Sequence, residues 1–312
     1  MPTTHTVRTF LALLALSALA PEGTRAAHAA SVPNRKLHVI IIGLSQDPAL
    51  STGILASRDR LRRTFSAAFQ PAEFGSFTEI GFPQTAHPGG NLPAINMVPQ
   101  FTLQQVNATL GNLTFAEQDV VFCYVMSHGG YASQALTPER EYGQWFETQL
   151  TRVPGRYEYY CRVDLFELLL DRRVGRTSGN GLTVLISDAC NVRADVPVPV
   201  AAPAERPPVP QTVLHNLLME HTGQVSISAS TIGQYSFYFP TGGLFTDNVC
   251  NIALWDYNDP NPEFNVRDWP SFMARLTEFT DEDFRGRIGV YHGQRTLTPM
   301  WMRDKSFVRP FP

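Results

Sequence analysis

The chain lacks the features that mark several large classes of protein. No apolar run reaches the roughly 20 residues that a membrane-spanning helix needs. A net charge of −3 over 312 residues argues against a general nucleic-acid surface. The four cysteines are too few for a disulfide framework in a chain of this size, and no internal repeat is present. With a hydrophobic content of 43%, the sequence is sufficient for one large domain or for a domain with extensions.

The N-terminus has the composition of a targeting segment. Arg8 supplies a positive n-region, residues 10–20 form an apolar h-region, and Ala27-His28-Ala29 fits a small-residue cleavage site. We predict that residues 1–29 are a signal peptide and that the mature protein is exported to the periplasm, the cell surface or the medium. The alternative is an N-terminal helix that stays in the protein.

Apolar strands alternate with amphipathic helices along the rest of the chain. Continuous apolar or β-branched runs at residues 36–43, 119–126 and 182–187 are typical of strands covered on both faces. Weaker strand patterns lie at residues 77–80, 224–230 and 287–291. Helical spacing of apolar residues predicts helices at residues 51–69, 101–110, 157–173, 211–221 and 244–255. This alternation predicts an α/β fold with a mostly parallel central sheet and helices on both faces.

Several segments and side chains outside these patterns are assigned to the surface or to connections. Residues 83–99 and 131–154 are predicted to be a loop and a polar surface excursion, and the Pro-rich residues 196–210 an extended connector. Within the first helix we predict a solvated face made by Arg58, Arg60, Arg62 and Arg63.

The cysteines other than Cys190 are predicted to lie in different structural environments. Cys123 falls inside an apolar strand and is predicted to be a small buried hydrophobe. Cys161 and Cys250 fall on or beside predicted helices, and a disulfide between two of these three cysteines is left open.

Two of the strongest predicted strands are followed directly by segments with reactive side chains. Residues 119–126 are followed by Ser127, His128, Gly129 and Gly130, and residues 182–187 run into Asp188, Ala189 and Cys190. Ligands of open α/β sheets bind at the carboxyl ends of the strands. We therefore expect His128 and Cys190 to lie on neighbouring parallel strands and to meet at their ends.

A cysteine next to a histidine is suited to nucleophilic catalysis. The thiolate is the attacking species, and histidine is the natural base because its pKa lies near neutrality. The N–H groups of Gly129 and Cys190 would stabilise an oxyanion, an effect worth about 3 kcal/mol per donor. Each motif alone is equally compatible with a strand-to-turn junction, but their joint occurrence favours a cysteine peptidase.

The two motifs resemble those of the caspase-like cysteine peptidases, the superfamily of caspases, metacaspases and paracaspases. Residues 120–130 are similar to the strand that ends in Ser-His-Gly, and residues 182–191 to the strand that ends in the nucleophile. Weaker similarities lie at residues 39–43, 57–61, 225–230 and 243–246. The resemblance covers about residues 37–254, is closest in motif to bacterial metacaspase-like and paracaspase-like members, and implies a caspase-like three-layer sandwich.

The resemblance also implies roles by position. Cys190 corresponds to the nucleophile, His128 to the general base and acid, and Gly129 to the oxyanion donor beside the Cys190 amide. Asp188 corresponds to the acidic residue that binds a basic P1 side chain, and a carboxylate there would select Arg or Lys. The alternative is that Asp188 only caps the following turn. The family's second acidic pocket residue would align near Tyr238, so a basic preference depends on Asp188 alone.

The domain organisation follows from the same resemblance. Residues 36–195 correspond to the large-subunit (p20) part, residues 196–210 to the linker, and residues 211–312 to the small-subunit (p10) part with a C-terminal extension. Arg193 and Arg206 flank the linker, which leaves self-cleavage and an uncut linker as alternatives.

The sequence thus predicts an exported cysteine endopeptidase that acts on peptide or protein substrates after Arg or Lys. No metal site or cofactor is predicted, because the acidic residues 281–283 are typical of solvated surface; calcium dependence and oligomeric state are left open. One alternative is an inactive caspase-like domain that binds a peptide or a protein. Another is a cysteine peptidase of the legumain or gingipain type, which also places His-Gly and Cys after strands.

Overall fold

The three continuous apolar runs form the centre of one sheet in the computed structural model, which describes residues 34–85, 89–132, 143–148, 160–174, 180–189, 209 and 211–308. The predicted signal peptide, Cys190, Arg193 and Arg206, and all of the predicted linker except residue 209, lie outside the described residues. The described strands are β1 (Leu37–Gly43), β2 (Phe74–Ile80), β3 (Ile95–Val98), β4 (Val120–Met126), β5 (Gly129–Ala132), β6 (Gly143–Glu147), β7 (Tyr160–Arg162), β8 (Leu182–Asp188), β9 (His221–Ser228), β10 (Tyr238–Phe239), β11 (Gly242–Gly243) and β12 (Met300–Val308).

The central sheet has seven strands in the order β12-β9-β8-β4-β1-β2-β3. All neighbouring strands are parallel except β12 and β9, which are antiparallel. Every residue of β1, β4 and β8 is buried, which is why their sequences are apolar without alternation. Strands β8 and β9 precede and follow the Pro-rich residues 196–210 in the chain, so the segments on both sides of residues 196–210 contribute to one sheet.

Helices cover this sheet on both faces, as the alternating pattern predicts. They are α1 (Ser51–Ala68), α2 (Leu103–Gly111), α3 (Val163–Val174), α4 (Val213–Met219), α5 (Leu244–Ala253) and α6 (Trp269–Arg287). Helix α5 contacts α1, α4 and α6, whereas α2 packs with α3. The buried apolar stripe of α1 includes Phe65, whose ring meets that of Phe122 on β4 edge to face at 5.1 Å. The described residues contain no helix that is long and apolar enough to cross a membrane.

Three sequence predictions about regular structure are wrong. The segment predicted as a loop, residues 83–99, contains the edge strand β3, and residues 131–154 contribute to a small antiparallel sheet of β5, β6 and β7. The strand predicted at residues 287–291 does not form, because α6 extends to Arg287 and the last strand is β12. Strands β3 and β12 each pair on one side only and are largely accessible to solvent, so they lack an apolar signature.

The predicted solvated arginine face of α1 is also wrong in part. Arg58 and Arg62 are each only 4% exposed, and Arg63 alone of the four is exposed. Arg62 binds the fully buried Glu79 of β2 through two nitrogens, at 2.5 and 2.6 Å. Arg60 forms an ion pair with Asp247 of α5. Buried carboxylates on neighbouring elements need cationic partners, and α1 supplies them.

The three described cysteines are free and buried, so the disulfide left open between two of them does not form. Cys123 lies inside β4 as predicted, and Cys250 lies inside α5. Burial raises the pKa of the Cys250 thiol to about 12 and raises that of Cys123 further still. Neither Cys123 nor Cys250 is therefore suited to nucleophilic attack.

Candidate active site

The carboxyl ends of β4 and β8 lie side by side, as the sequence predicts. Met126 pairs with Asp188 in the parallel register, and the Ser127 N–H donates to the Asp188 carbonyl at 3.3 Å. His128 follows β4 by two residues, and Cys190 follows β8 by two residues. The described parts of the two motifs, up to His128 and Ala189, therefore lie at one edge of the sheet. Cys190 itself lies outside the described residues, so its contact with His128 stays a prediction.

The imidazole of His128 is partly accessible and is held next to a carboxylate. Its side chain is 25% exposed, and its Nε2 lies 3.4 Å from Oδ2 of Asp47. The His128 carbonyl accepts a hydrogen bond from the Glu147 N–H at 2.8 Å, which ties the residue to β6. The backbone of His128 is thus held by β6, and its imidazole lies beside Asp47 while remaining partly open to solvent.

Asp47 is a residue that the sequence analysis missed. It lies in the turn between β1 and α1, and its Oδ1 accepts hydrogen bonds from the N–H groups of Ala49 at 2.8 Å and Leu50 at 3.2 Å. Its carbonyl accepts from the Ser51 N–H at 2.8 Å. An aspartate between the glycine that ends a strand and the start of a helix is a signal that could have drawn attention to it.

The two glycines after His128 have different surroundings. Because the Glu147 N–H donates to the His128 carbonyl, Gly129 and Phe146 form a non-hydrogen-bonded pair of the β5–β6 ladder. The Gly129 N–H therefore points away from β6. Gly130 lies against Trp145, and a Cβ on it would come within 2.2 Å of the indole ring. The Gly129 N–H is thus not used in the β5–β6 ladder and its oxyanion role stays a prediction, whereas Gly130 is needed for packing against Trp145.

Asp188 is fully buried, and its carboxylate is bound by residues from beyond the predicted linker. Ser236 donates to Oδ1 at 2.8 Å and Thr246 to Oδ2 at 2.6 Å, while the Tyr238 hydroxyl donates to the Asp188 carbonyl at 2.8 Å. Burial raises the pKa of Asp188 to about 6, although the hydrogen bonds from Thr246, Ser236 and Tyr238 oppose that rise. Asp188 and Tyr238 are therefore in contact, and the role of Asp188 in binding a basic P1 side chain stays a prediction.

A second buried carboxylate lies on the same helix as Thr246. Asp247 is 3% exposed, and desolvation raises its pKa to about 7 against the opposing charges of Arg60 and Arg287. Among the described parts of the chain, no three His, Cys, Asp or Glu side chains come together as metal ligands.

Comparison with known proteins points to one fold. The chain matches no protein-family model, and no curated protein matches it in sequence. It is similar to the crystal structure of caspase-1 from Spodoptera frugiperda, with 12% sequence identity, a TM-score of 0.52, and coverage of 86% of this chain and 88% of that chain. A structure of pro-sf-caspase-1 shows 11% identity and a TM-score of 0.48 over 89% of this chain and 95% of that chain.

The sequence motifs imply a caspase-like three-layer sandwich. The sheet order and the helices on both faces agree with it, and so does the similarity to the Spodoptera frugiperda caspase-1 structure. The closer likeness to bacterial metacaspases stays a prediction, because a similarity at 12% identity speaks to the fold alone. The chain has a caspase-like fold.

Proposed function

We propose that the mature chain is an exported cysteine endopeptidase that cleaves peptide bonds after Arg or Lys. The observation that carries this proposal is the direct parallel pairing of β4 with β8, in which Met126 lies beside Asp188, two residues before His128 and Cys190 respectively. The caspase-like fold supports it, because an edge of this kind is where an α/β protein binds its ligands.

The proposed mechanism uses two side chains and two backbone N–H groups. His128 accepts the proton of Cys190, and the thiolate attacks the carbonyl carbon of the scissile bond. The Gly129 and Cys190 N–H groups stabilise the resulting oxyanion. His128 then donates the proton to the leaving amine as the C–N bond breaks, which leaves a thioester on Cys190. Water attacks the thioester, with His128 as base, and releases the acid product.

The preference for a basic P1 residue would come from Asp188. Its carboxylate lies at the same edge of the sheet, and Ser236 and Thr246 hold it in a fixed orientation. A pKa of about 6 leaves it largely ionised at neutral pH, as binding of a guanidinium or an ammonium group requires. Because the carboxylate is fully buried, we expect substrate binding to displace the segment around Tyr238 and Gly243.

The test is hydrolysis of a peptide panel by the purified mature chain, residues 30–312. Peptides with Arg, Lys, Asn or Asp at P1 are compared with and without calcium. We expect turnover of the Arg and Lys peptides, and its loss in Cys190→Ala and in His128→Ala. The matched control is Cys161→Ala, which removes another buried cysteine, on β7, and should keep turnover. An active Cys190→Ala variant would rule out the peptidase, and turnover of the Asn peptide alone would favour the legumain type.

The enclosed state of Asp188 favours a second candidate, an inactive domain that binds a peptide or a protein. Binding of Arg peptides to the wild-type chain without turnover would support this candidate. Turnover that depends on Cys190 would exclude it.

Export is a separate part of the proposal, supported by the composition of residues 1–29. N-terminal sequencing of protein recovered from the medium or the periplasm should find a mature end near residue 30. A full-length N-terminus retained inside the cell would contradict it. The size of the recovered chain on a denaturing gel also reports whether the linker is cut.

A further inference from the structure

The turn after β1 lies next to the turn that carries His128. Strands β1 and β4 pair in parallel up to Gly43 and Met126, and the Leu44 N–H donates to the Met126 carbonyl at 2.9 Å. The chain segments that leave these two strands therefore run side by side at the proposed catalytic edge. Asp47 lies on the first of them and His128 on the second.

The carboxylate of Asp47 is fixed before any substrate arrives. The Ala49 and Leu50 N–H groups bind Oδ1, and the Asp47 N–H donates to the Leu44 carbonyl at 3.2 Å. Oδ2 is the oxygen that faces Nε2 of His128, at 3.4 Å. Both side chains are only partly accessible, at 19% for Asp47 and 25% for His128, so solvent screening of this contact is reduced. Oδ1 thus holds the carboxylate in place, and Oδ2 faces the imidazole of His128.

A carboxylate in this place selects one form of the histidine. A carboxylate can only accept a hydrogen bond, and its Oδ2 faces Nε2, so it favours the tautomer that carries hydrogen on Nε2 and a lone pair on Nδ1. Nδ1 is then the nitrogen that accepts the thiol proton of Cys190, and the carboxylate stabilises the imidazolium formed in that step. Such contacts are often long in ligand-free sites and shorten when substrate binds.

We propose that Asp47 is the positioning residue of His128, so that the site is a Cys190–His128–Asp47 triad rather than a dyad. This inference rests on the proposed function, because it assigns Asp47 a role through the base of that reaction. It also gives a role to the turn before α1, whose Ala49 and Leu50 N–H groups hold Oδ1 in place and so hold Oδ2 towards the ring.

The test compares Asp47→Asn with a matched control. Asparagine keeps an oxygen for the Ala49 and Leu50 N–H groups but removes the charge, and its amide donates where the carboxylate accepted. We expect kcat to fall by about 10²–10⁴, with KM changed less than about threefold and the melting temperature close to that of the wild type. The control is Asp259→Asn, which alters an aspartate that likewise accepts a backbone N–H, from Asn261 at 2.8 Å, and should leave kcat unchanged.

A second measurement does not depend on turnover. Long-range ¹H–¹⁵N NMR of the Cys190→Ala chain, with the His128 signals assigned by their loss in Cys190→Ala/His128→Gln, should show hydrogen on Nε2. In the Cys190→Ala/Asp47→Asn chain this preference should be lost. The tautomer therefore tests Asp47 even if the wild-type chain proves inactive.

The outcomes of these two experiments distinguish a failure of the Asp47 triad from a failure of the proposed peptidase function. A wild-type enzyme that needs Cys190 and His128 but keeps full kcat in Asp47→Asn would overturn the triad and leave the peptidase intact. An unchanged His128 tautomer in the Asp47→Asn background would also overturn it. A wild-type chain with no turnover would refute the peptidase, while a tautomer that responds to Asp47 would still support the contact.

Discussion

The buried carboxylate of Asp188 should make the protein less stable at neutral pH than an isosteric amide at that position would. Burial raises the pKa of Asp188 from 3.8 to about 6, so the folded chain holds this proton at pH values where the unfolded chain has lost it. Ionisation therefore costs more in the folded state. The resulting loss of unfolding free energy is absent below the unfolded pKa of 3.8. It grows as the pH rises from 3.8 to about 6 and is complete above about 6.

The size of the effect follows from the shift. A rise of roughly two pH units, at 1.36 kcal/mol per unit, corresponds to about 3 kcal/mol of unfolding free energy. Asp188→Asn removes the ionisation but keeps a side chain of the same shape, with one amide oxygen to accept from Ser236 or Thr246. Relative to the wild type, we expect the variant to gain about 3 kcal/mol between pH 4 and pH 7.5.

The assay is urea unfolding of both chains at several pH values, since the difference between them cancels the other titrating groups. Asp259→Asn serves as the control and should track the wild type at every pH. The same Asp188→Asn chain should lose hydrolysis of the Arg and Lys peptides. A stability difference that stays constant from pH 4 to pH 7.5 would refute the reasoning, because it would mean that Asp188 titrates alike in the folded and unfolded states.

Two further predictions concern the packing of Gly130 on β5 and the buried ion pair between α1 and β2. Gly130→Ala should lower the unfolding free energy by about 1–3 kcal/mol, because its Cβ would lie 2.2 Å from the Trp145 ring; a melting temperature equal to that of the wild type would contradict this. Arg62→Met should cost about 3–5 kcal/mol in denaturant unfolding, since it leaves the fully buried Glu79 without its cation, and Arg62→Met/Glu79→Gln should recover much of that loss. A double variant no more stable than Arg62→Met would contradict the charge argument.

The centre of the fold could be predicted from the sequence because burial on both faces makes a strand largely apolar along its whole length. β1, β4 and β8 are such strands, and the reactive motifs follow directly after two of them. The edge strands β3 and β12 could not be predicted in the same way. Each is defined by hydrogen bonds to a neighbour distant in the chain, and their composition carries little of that information.

Charged side chains were the other source of error. Arg58 and Arg62 occur in an arginine-rich helix and follow the usual pattern of a solvated face, yet both are buried. Their burial depends on the tertiary placement of acidic partners such as Glu79, which no local pattern encodes. Asp47 was missed for the same reason, because its partner His128 is brought to it only by the pairing of β1 with β4.

The central claim is that the thiol of Cys190 is activated by the imidazole of His128. An acyloxymethyl ketone that carries Arg, incubated with the mature chain and mapped by peptide mass spectrometry, measures this directly. We expect a single adduct on Cys190, which forms much more slowly in His128→Ala and is absent in Cys190→Ala. A folded wild-type chain that forms no adduct, or forms it equally fast without His128, would contradict the account.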